Sequence, residues 1–429
     1  MPNKTNIISR KLFLKRISIL GASVSPLIHM LSAAEKGIDV LAGGLGLGSD
    51  PRGILRLAPG LEYSIISEKG SRMSDGLSVP DHADGMAAFP LRGQRIALIR
   101  NHEIGHFSKI DRLLQLNPIL EHKKYLRRNA RRFYDSGDGG SPCGGGTTTI
   151  IYNTLSRAVE KEYLSLSGTL VNCSGGPTPW GTWISCEETV SRKGLGLSRD
   201  HGYNFEVVPT SKVALQKAVP IAAMGRFRHE AVAIDPATLD AYQTEDRDDG
   251  LVYRFVPSDG KRYLSGGKLQ VLSLGGLPDT RNWNDKAARQ GLEYSAMWID
   301  IEGVDSPEDD LRYRGAEIGA SVFARPEGMW HDGGYIYFTC TSGGQERIGQ
   351  VWRYDIQNAT AALIFEPNDA EVMRKCDNIT IAPWGDIIVC EDGRGADRLI
   401  GIRKDGSTYT IAENVLNSAE FAGACFSQK

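Results

Sequence analysis

The run His229-Glu230-Ala231-Val232-Ala233-Ile234-Asp235-Pro236, answered by Ala241-Tyr242-Gln243-Thr244-Glu245-Asp246, decides the fold class. Four apolar residues closed by Asp-Pro make a short buried strand, because Asp-Pro opens a turn and a helix needs a longer periodic run. The answering run carries Tyr and Thr, which fit a pleated surface. Together they read as an antiparallel hairpin. A hairpin comes back to where it started, so its first and last residues share one sheet edge. Here both ends are acidic: Glu230 at the start, Glu245 and Asp246 at the finish.

The same plan recurs along the chain. Cys376-Asp377-Asn378-Ile379-Thr380-Ile381-Ala382-Pro383 returns through Ile387-Ile388-Val389-Cys390 to Glu391-Asp392. Gly175-Gly176-Pro177 leads through Trp183-Ile184-Ser185 to Cys186-Glu187-Glu188. Pro326-Glu327-Gly328-Met329 returns through Tyr335-Ile336-Tyr337-Phe338-Thr339, and Asp84-Gly85-Met86-Ala87-Ala88-Phe89 through Arg95-Ile96-Ala97-Leu98-Ile99-Arg100 to Asn101-His102-Glu103. A sixth copy opens at Glu420-Phe421-Ala422-Gly423-Ala424-Cys425-Phe426. Outer strands follow two copies, at Gly250-Leu251-Val252-Tyr253-Arg254-Phe255 and Gly349-Gln350-Val351-Trp352-Arg353-Tyr354. A hairpin plus outer strands is a propeller blade. The expectation is an all-β, six-bladed β-propeller over residues 35–429, one domain, its last blade incomplete. Roughly 65 residues per blade exceed the ~40 to 45 of a WD40 unit, so helical and loop insertions must decorate the blades. Residues 109–132, rich in Lys and Arg, are the best helical insertion; residues 53–66 are a candidate to fill the open sixth blade, whose bare edge would otherwise invite association.

Composition narrows the partners. With 50 basic and 52 acidic residues and a net charge of -2, the chain lacks the positive excess of a general nucleic-acid binder. Seven cysteines without CxxC spacing argue against zinc ribbons and thioredoxin-type sites. Residues 1–34 have the layout of a cleavable export signal: Ser9-Arg10-Lys11-Leu12-Phe13-Leu14-Lys15, an apolar run from Ile17, then Ser32-Ala33-Ala34. This resembles a twin-arginine signal, with Lys11 where the second arginine is expected; the alternatives are an uncleaved anchor and an ordinary Sec signal. Pro26 and His29 interrupt the apolar run, and no later segment is long enough to span a bilayer, so no stable membrane insertion is expected after cleavage.

Hairpin geometry turns the acidic ends toward one mouth of the propeller axis. Gathered carboxylates repel one another unless cations neutralise them. Glu187, Glu230, Glu245, Asp246, Glu327 and Glu391, with Glu103, Glu188 and Asp392, offer the hard oxygens that suit Ca²⁺. Cys186, at the same hairpin end, offers a softer thiolate that suits iron or zinc, or else it is a buried core cysteine. His102-Glu103-Ile104-Gly105-His106 fits the HExxH pattern, but a strand precedes it and Gly105 disfavours the helix that zinc chemistry requires. Arg226, Arg228 and Arg325 are guanidinium forks near the mouth, able to hold a phosphate or to neutralise neighbouring acids.

Taken together, these segments resemble the PhoX-type alkaline phosphatases. The motifs that carry the resemblance are Asn101-His102-Glu103, Thr178-Pro179-Trp180-Gly181-Thr182-Trp183 with Cys186-Glu187-Glu188, Gly225-Arg226-Phe227-Arg228-His229-Glu230, Glu245-Asp246, Arg325-Pro326-Glu327-Gly328, and Cys376-Asp377-Asn378 with Glu391-Asp392-Gly393. The resemblance implies a six-bladed propeller, export by the twin-arginine machinery to the periplasm or beyond the cell, and hydrolysis of small phosphomonoesters at a cluster of Fe³⁺ and Ca²⁺. By motif, Cys186, Glu230 and Glu327 look like iron ligands, Glu187, Glu245, Asp246 and Glu391 like calcium ligands, and Arg325 and Asn101 like phosphate contacts. The competing readings are a calcium-dependent propeller hydrolase of lactones or phosphotriesters, and an inactive, metal-stabilised binding propeller.

Overall fold

A computed structural model describes residues 46–105, 122–138, 140–260 and 262–427. The export signal read in residues 1–34, most of the basic insertion and His106 lie outside these. Among the described residues the chain is almost wholly antiparallel sheet, with two short α-helices, α1 (Lys123–Asn129) and α2 (Leu311–Glu317). No helix among them is long and apolar enough to cross a membrane.

The strands fall into five blades. The first strand of the chain, β1 (Leu55–Leu57), belongs to the fifth. Blade 1 is β2 (Ala83–Leu91), β3 (Arg95–His102), β4 (Gly145–Asn153) and β5 (Ala158–Thr169). Blade 2 is β6 (Asn172–Pro177), β7 (Trp183–Glu187) and β8 (Asn204–Val207). Blade 3 is β9 (His229–Ile234), β10 (Ala241–Glu245), β11 (Val252–Pro257), β12 (Gly267–Leu274) and β13 (Glu293–Ile301). Blade 4 is β14 (Pro326–Asp332), β15 (Tyr335–Cys340), β16 (Gln350–Asp355) and β17 (Thr360–Phe365). Blade 5 is β18 (Cys376–Ile381), β19 (Ile387–Glu391), β20 (Arg398–Ile402) and β21 (Thr408–Asn414), with β1 on its outer edge. All five predicted hairpins and both predicted outer strands are present.

The inner strands stand side by side in the order β2, β6, β9, β14, β18. Sheets that converge on an axis crowd there, so their innermost positions must be small. A Cβ on Gly176 would lie 1.6 Å from the Val232 carbonyl oxygen of the next blade, and one on Gly328 would lie 2.5 Å from the Asp377 oxygen. Between blades the sheets bury apolar faces against one another: Phe323 packs edge-to-face with Phe338 and Trp352 in one such layer, and Trp183, Phe205 and Tyr163 share another.

Two expectations are corrected. Residues 53–66 do not fill the sixth blade; β1 pairs with β21 instead, Leu55 opposite Asn414, and caps the outside of blade 5. The sixth position holds residues 420–426 as irregular chain rather than as half a hairpin. They lie between blades 5 and 1: the Gly423 amide donates to Asn378 Oδ1 at 3.0 Å, the Gly423 Cα borders the Asp84 carbonyl, and Phe426 meets Trp384 edge-on. In the described part of the basic insertion, α1 is seated by Tyr125 and Leu126 on Leu77, Val79 and Leu164.

Candidate active site

All five hairpins are built alike at the end that opens on the axis. Each inner strand carries a β-bulge in which two of its residues oppose one residue of its partner. The pairs are Asp84-Gly85 opposite Asn101, Cys173-Ser174 opposite Cys186, Glu230-Ala231 opposite Thr244, Glu327-Gly328 opposite Thr339, and Asp377-Asn378 opposite Cys390. A bulge bends the strand and re-aims the extra side chain. Asp84, Cys173, Glu230, Glu327 and Asp377 are thereby brought to the axis.

The returning strand ends in three residues with separate duties. In blades 1, 3 and 4 the residue opposite the bulge stitches neighbouring blades. Asn101 Nδ2 donates to the Cys173 and Ser174 carbonyls at 3.1 and 2.5 Å, Thr339 Oγ1 to the Asp377 carbonyl at 2.5 Å, and Thr244 Oγ1 to the Glu327 carbonyl. The next residue, Glu187, Glu245 or Glu391, turns back into its own blade. The third, Glu103, Glu188, Asp246 or Asp392, stands at the rim of the mouth.

Axial and rim residues form overlapping groups whose ligand atoms all lie within 4.8 Å of one another: Asp84, Glu103 and Cys173; Cys173, Glu188 and Glu230; Glu230, Glu327 and Asp377; Asp377, Asp392 and Glu420. Each group shares one member with the next. The Cys173 sulfur is 3.5 Å from Asp84 Oδ2 and 3.3 Å from Glu230 Oε1. Burial and mutual repulsion raise many of these groups, whereas the Arg325 guanidinium outweighs burial at Asp246 and lowers it. Glu103 is pushed up to about 7, Asp377 to about 6 and Glu420 to about 9, in each case first by desolvation and then by neighbouring carboxylates or, at Asp377, against opposing hydrogen bonds. Asp84, Glu188, Glu230 and Glu327 are raised well above the carboxylate range, and the Cys173 thiol well above its own, for the same leading reason.

Two guanidinium groups face this charge. Arg325, at a left-handed φ of 51°, grips Asp246 through Nε and Nη2 at 2.8 and 3.1 Å and reaches Glu327 at 2.6 Å. Arg228 pairs with Glu188. Both remain half-buried. Arg226 is not at the mouth: it is buried, and its fork is spent on the carbonyls of Val190, Ser306 and Pro307.

Of the residues singled out from sequence, the fold thus brings Glu230, Glu327, Asp246 and Arg325 together, with Glu103, Glu188, Asp392 and Arg228 beside them. It sets Cys186, Asn101, Glu187, Glu245, Glu391 and Arg226 apart. Cys186 lies among Ile184, Phe227, Val232 and Leu251, outside every ligand group, because it occupies the position opposite the bulge. Asn101 spends its Nδ2 on the two carbonyls above and its Oδ1 on Trp183 Nε1 and Ser185 Oγ at 2.9 Å each, which leaves nothing for phosphate. Glu187 accepts from the Leu170, Gly202 and Tyr203 amides, Glu245 from Tyr253 Oη, and Glu391 from the Arg374 and Arg398 amides, so these three are wall rather than mouth. His102 is likewise internal, between the Asp81 carbonyl and Thr148 Oγ1, which disposes of the HExxH reading. The residues that sequence reading passed over are Asp84, Cys173, Asp377 and Glu420. Setting the five hairpin starts in register would have found the first three, since each is the second residue of its inner strand.

The family described as Alkaline phosphatase PhoX matches residues 43–428, nearly the whole chain. The chain belongs to the PhoX family. Its fold agrees with that of Pseudomonas fluorescens PhoX in complex with vanadate, a transition state analogue, at a TM-score of 0.64 and 17% identity, covering 88% of this chain and 90% of that one. Weaker likenesses include a Thermus thermophilus structure described as an oxidoreductase (glucose dehydrogenase) (TM-score 0.37, 13% identity, 86% and 92% covered). Another is a Trichoderma reesei protein of Carbohydrate-Active Enzymes Family AA12 (TM-score 0.37, 8% identity, 82% and 100% covered). No curated protein sequence matches. As a PhoX-family member the chain is a phosphatase, and the axial mouth is the place where the donor atoms for a metal-dependent one are gathered.

Proposed function

We propose that the chain hydrolyses small phosphomonoesters at the axial mouth, using a multinuclear cluster of iron and calcium held by the bulge and rim residues. The observation that carries this reading is the shared membership of the ligand groups. Cys173, Glu230 and Asp377 each belong to two of them, the arrangement needed for adjacent cations bridged by common ligands. The donor chemistry fits the two kinds of ion. Cys173 with Glu188 and Glu230 mixes a thiolate with carboxylates and suits iron, whereas Asp377, Asp392 and Glu420 offer only hard oxygen and suit calcium. The buried, mutually repelling carboxylates also fit, because bound cations would relieve what burial makes costly.

When bound, the cations supply Lewis acidity toward the phosphoryl oxygens. The chain's own contribution is orientation and charge. Asp246 fixes the plane of the Arg325 fork, and Glu188 that of Arg228, leaving two cationic donors to meet the non-bridging oxygens of a phosphoryl group as negative charge spreads over them. The vanadate complex of the Pseudomonas fluorescens protein supports a site of phosphoryl-transfer chemistry in this fold. Export through the twin-arginine machinery to the periplasm or beyond accords with residues 1–34 and would deliver the folded, metal-loaded chain. The deciding experiment is a chromogenic phosphomonoester assay with metal analysis. Activity should copurify with iron and calcium and disappear on chelation; hydrolysis by metal-free protein would overturn the proposal.

A further inference from the structure

Three hairpins end in a pair of acids, Glu187-Glu188, Glu245-Asp246 and Glu391-Asp392. Successive residues of a strand face opposite ways. In each pair the second acid stands at the mouth and the first is driven into the blade, fully buried. A buried carboxylate is costly unless it is paired and hydrogen-bonded, and each of these three meets a basic side chain. Glu187 Oε1 contacts His201 Nδ1 at 2.6 Å, and His201 Nε2 in turn lies 3.2 Å from Asp135 Oδ2. Glu245 faces Arg312 at 3.7 Å and accepts from Tyr253 Oη at 2.8 Å. Glu391 takes Arg398 on both oxygens, at 2.7 and 2.8 Å.

The wall acids also grip the backbone beside the mouth. Glu187 accepts from the Leu170 amide at 2.9 Å, and the Glu188 amide donates to the Val171 carbonyl at 2.8 Å. Val171, a β-branched residue at a φ of 48°, is held in a region such residues avoid. Its own amide donates to the Ile104 carbonyl at 3.0 Å. The turn that delivers Cys173 is thus locked between Glu103-Ile104 and Glu187-Glu188, three mouth ligands set by one buried carboxylate. In blade 5, Glu391 accepts from the Arg374 amide at 2.9 Å, and the Asp392 amide donates to the Lys375 carbonyl at 2.9 Å, just ahead of Asp377.

We infer that Glu187, Glu245 and Glu391, with their basic partners His201, Arg312 and Arg398, are positioning residues that set the cation affinity of the mouth without touching the cations. This rests on the proposed metal site but not on the reaction performed there. Partners behind the first ligands commonly tune metal affinity 10- to 100-fold. The test is calcium titration of metal-stripped protein by calorimetry, with metal content per chain and thermal unfolding measured in parallel. His201→Leu should weaken calcium binding by about tenfold or more. His201→Asn, whose amide can still donate to Glu187, should stay within about threefold of the parent. In the other blade Arg398→Leu should weaken binding similarly, and this arm decides the matter if His201→Leu does not fold. Lowered melting temperatures with unchanged calcium affinity in both blades would overturn the inference, since a purely structural role predicts that. Failure of the parent to bind calcium would overturn it too. Calcium binding that responds to these substitutions in a chain without phosphatase activity would leave this inference standing while removing the proposed reaction.

Discussion

Two cysteines separate the mouth from its scaffold. Cys173 is within reach of the Asp84 and Glu230 carboxylates and itself belongs to two ligand groups, whereas Cys186, on the paired strand, is packed in apolar side chains. Cys173→Ser should strip iron and lower phosphatase activity by roughly 100-fold or more, read by metal analysis and initial rates. Cys186→Ser should retain the metal and most of the activity but cost about 1–3 kcal/mol in urea unfolding, the price of burying a hydroxyl among hydrocarbons. The reverse outcome would restore Cys186 to the ligand set. The acidic character of the mouth was legible in the residues because repeated strand ends are easy to see. Which acid of each pair faces the axis was not, because strand direction alternates at every residue and a shift of one place exchanges mouth for wall. Cys173 was hidden for a related reason: taking Gly175 as the start of its hairpin left the bulge outside it.

Among elements, the hairpins could be read directly, since apolar runs of four to six residues closed by Asp-Pro, Pro-Trp-Gly or Asp-Gly-Gly have few other interpretations. The five bulges could not, because a bulge is specified by what crowds the axis rather than by local preference. Gly176 shows the crowding most sharply, and Gly176→Ala should destabilise the chain by more than about 3 kcal/mol, since a backbone carbonyl rather than a pliable side chain occupies the space. A denaturation midpoint equal to the parent's would mean that the inner strands can slide apart. The pairing of β1 with β21 was equally illegible, as a three-residue strand carries almost no periodic signal. Arg56 pairs with Glu413 across this seam, so the outer edge of blade 5 is covered.

At the scale of the whole molecule, the mouth couples stability to pH and to cations. Glu103, Asp377 and Glu420 hold their protons to about 7, 6 and 9 in the fold, above the ordinary 4.5, 3.8 and 4.5. The folded chain therefore binds more protons than the unfolded one between those limits, so stability from this source is complete below about pH 4 and is lost as pH rises through 6 to 9. Metal-free protein should melt at progressively lower temperature from pH 5 to pH 9, and added calcium should restore the melting point most at the alkaline end. A flat or rising profile would show that burial and crowding do not hold protons on these acids as placed. A different kind of coupling comes from β13. It pairs with β12 from Ala296 to Ile301 and, through Glu293, Tyr294 and Ser295, with β17 of the next blade, so blades 3 and 4 form one continuous nine-stranded sheet. Neighbouring blades otherwise meet through side chains and isolated hydrogen bonds. In hydrogen exchange, blades 3 and 4 should open as a single cooperative unit, with amides of β12 and β17 sharing one opening free energy while blade 2 exchanges on its own. The molecule would then come apart along its seams in unequal pieces, and the largest is the one that carries Glu230, Asp246, Arg325 and Glu327 together.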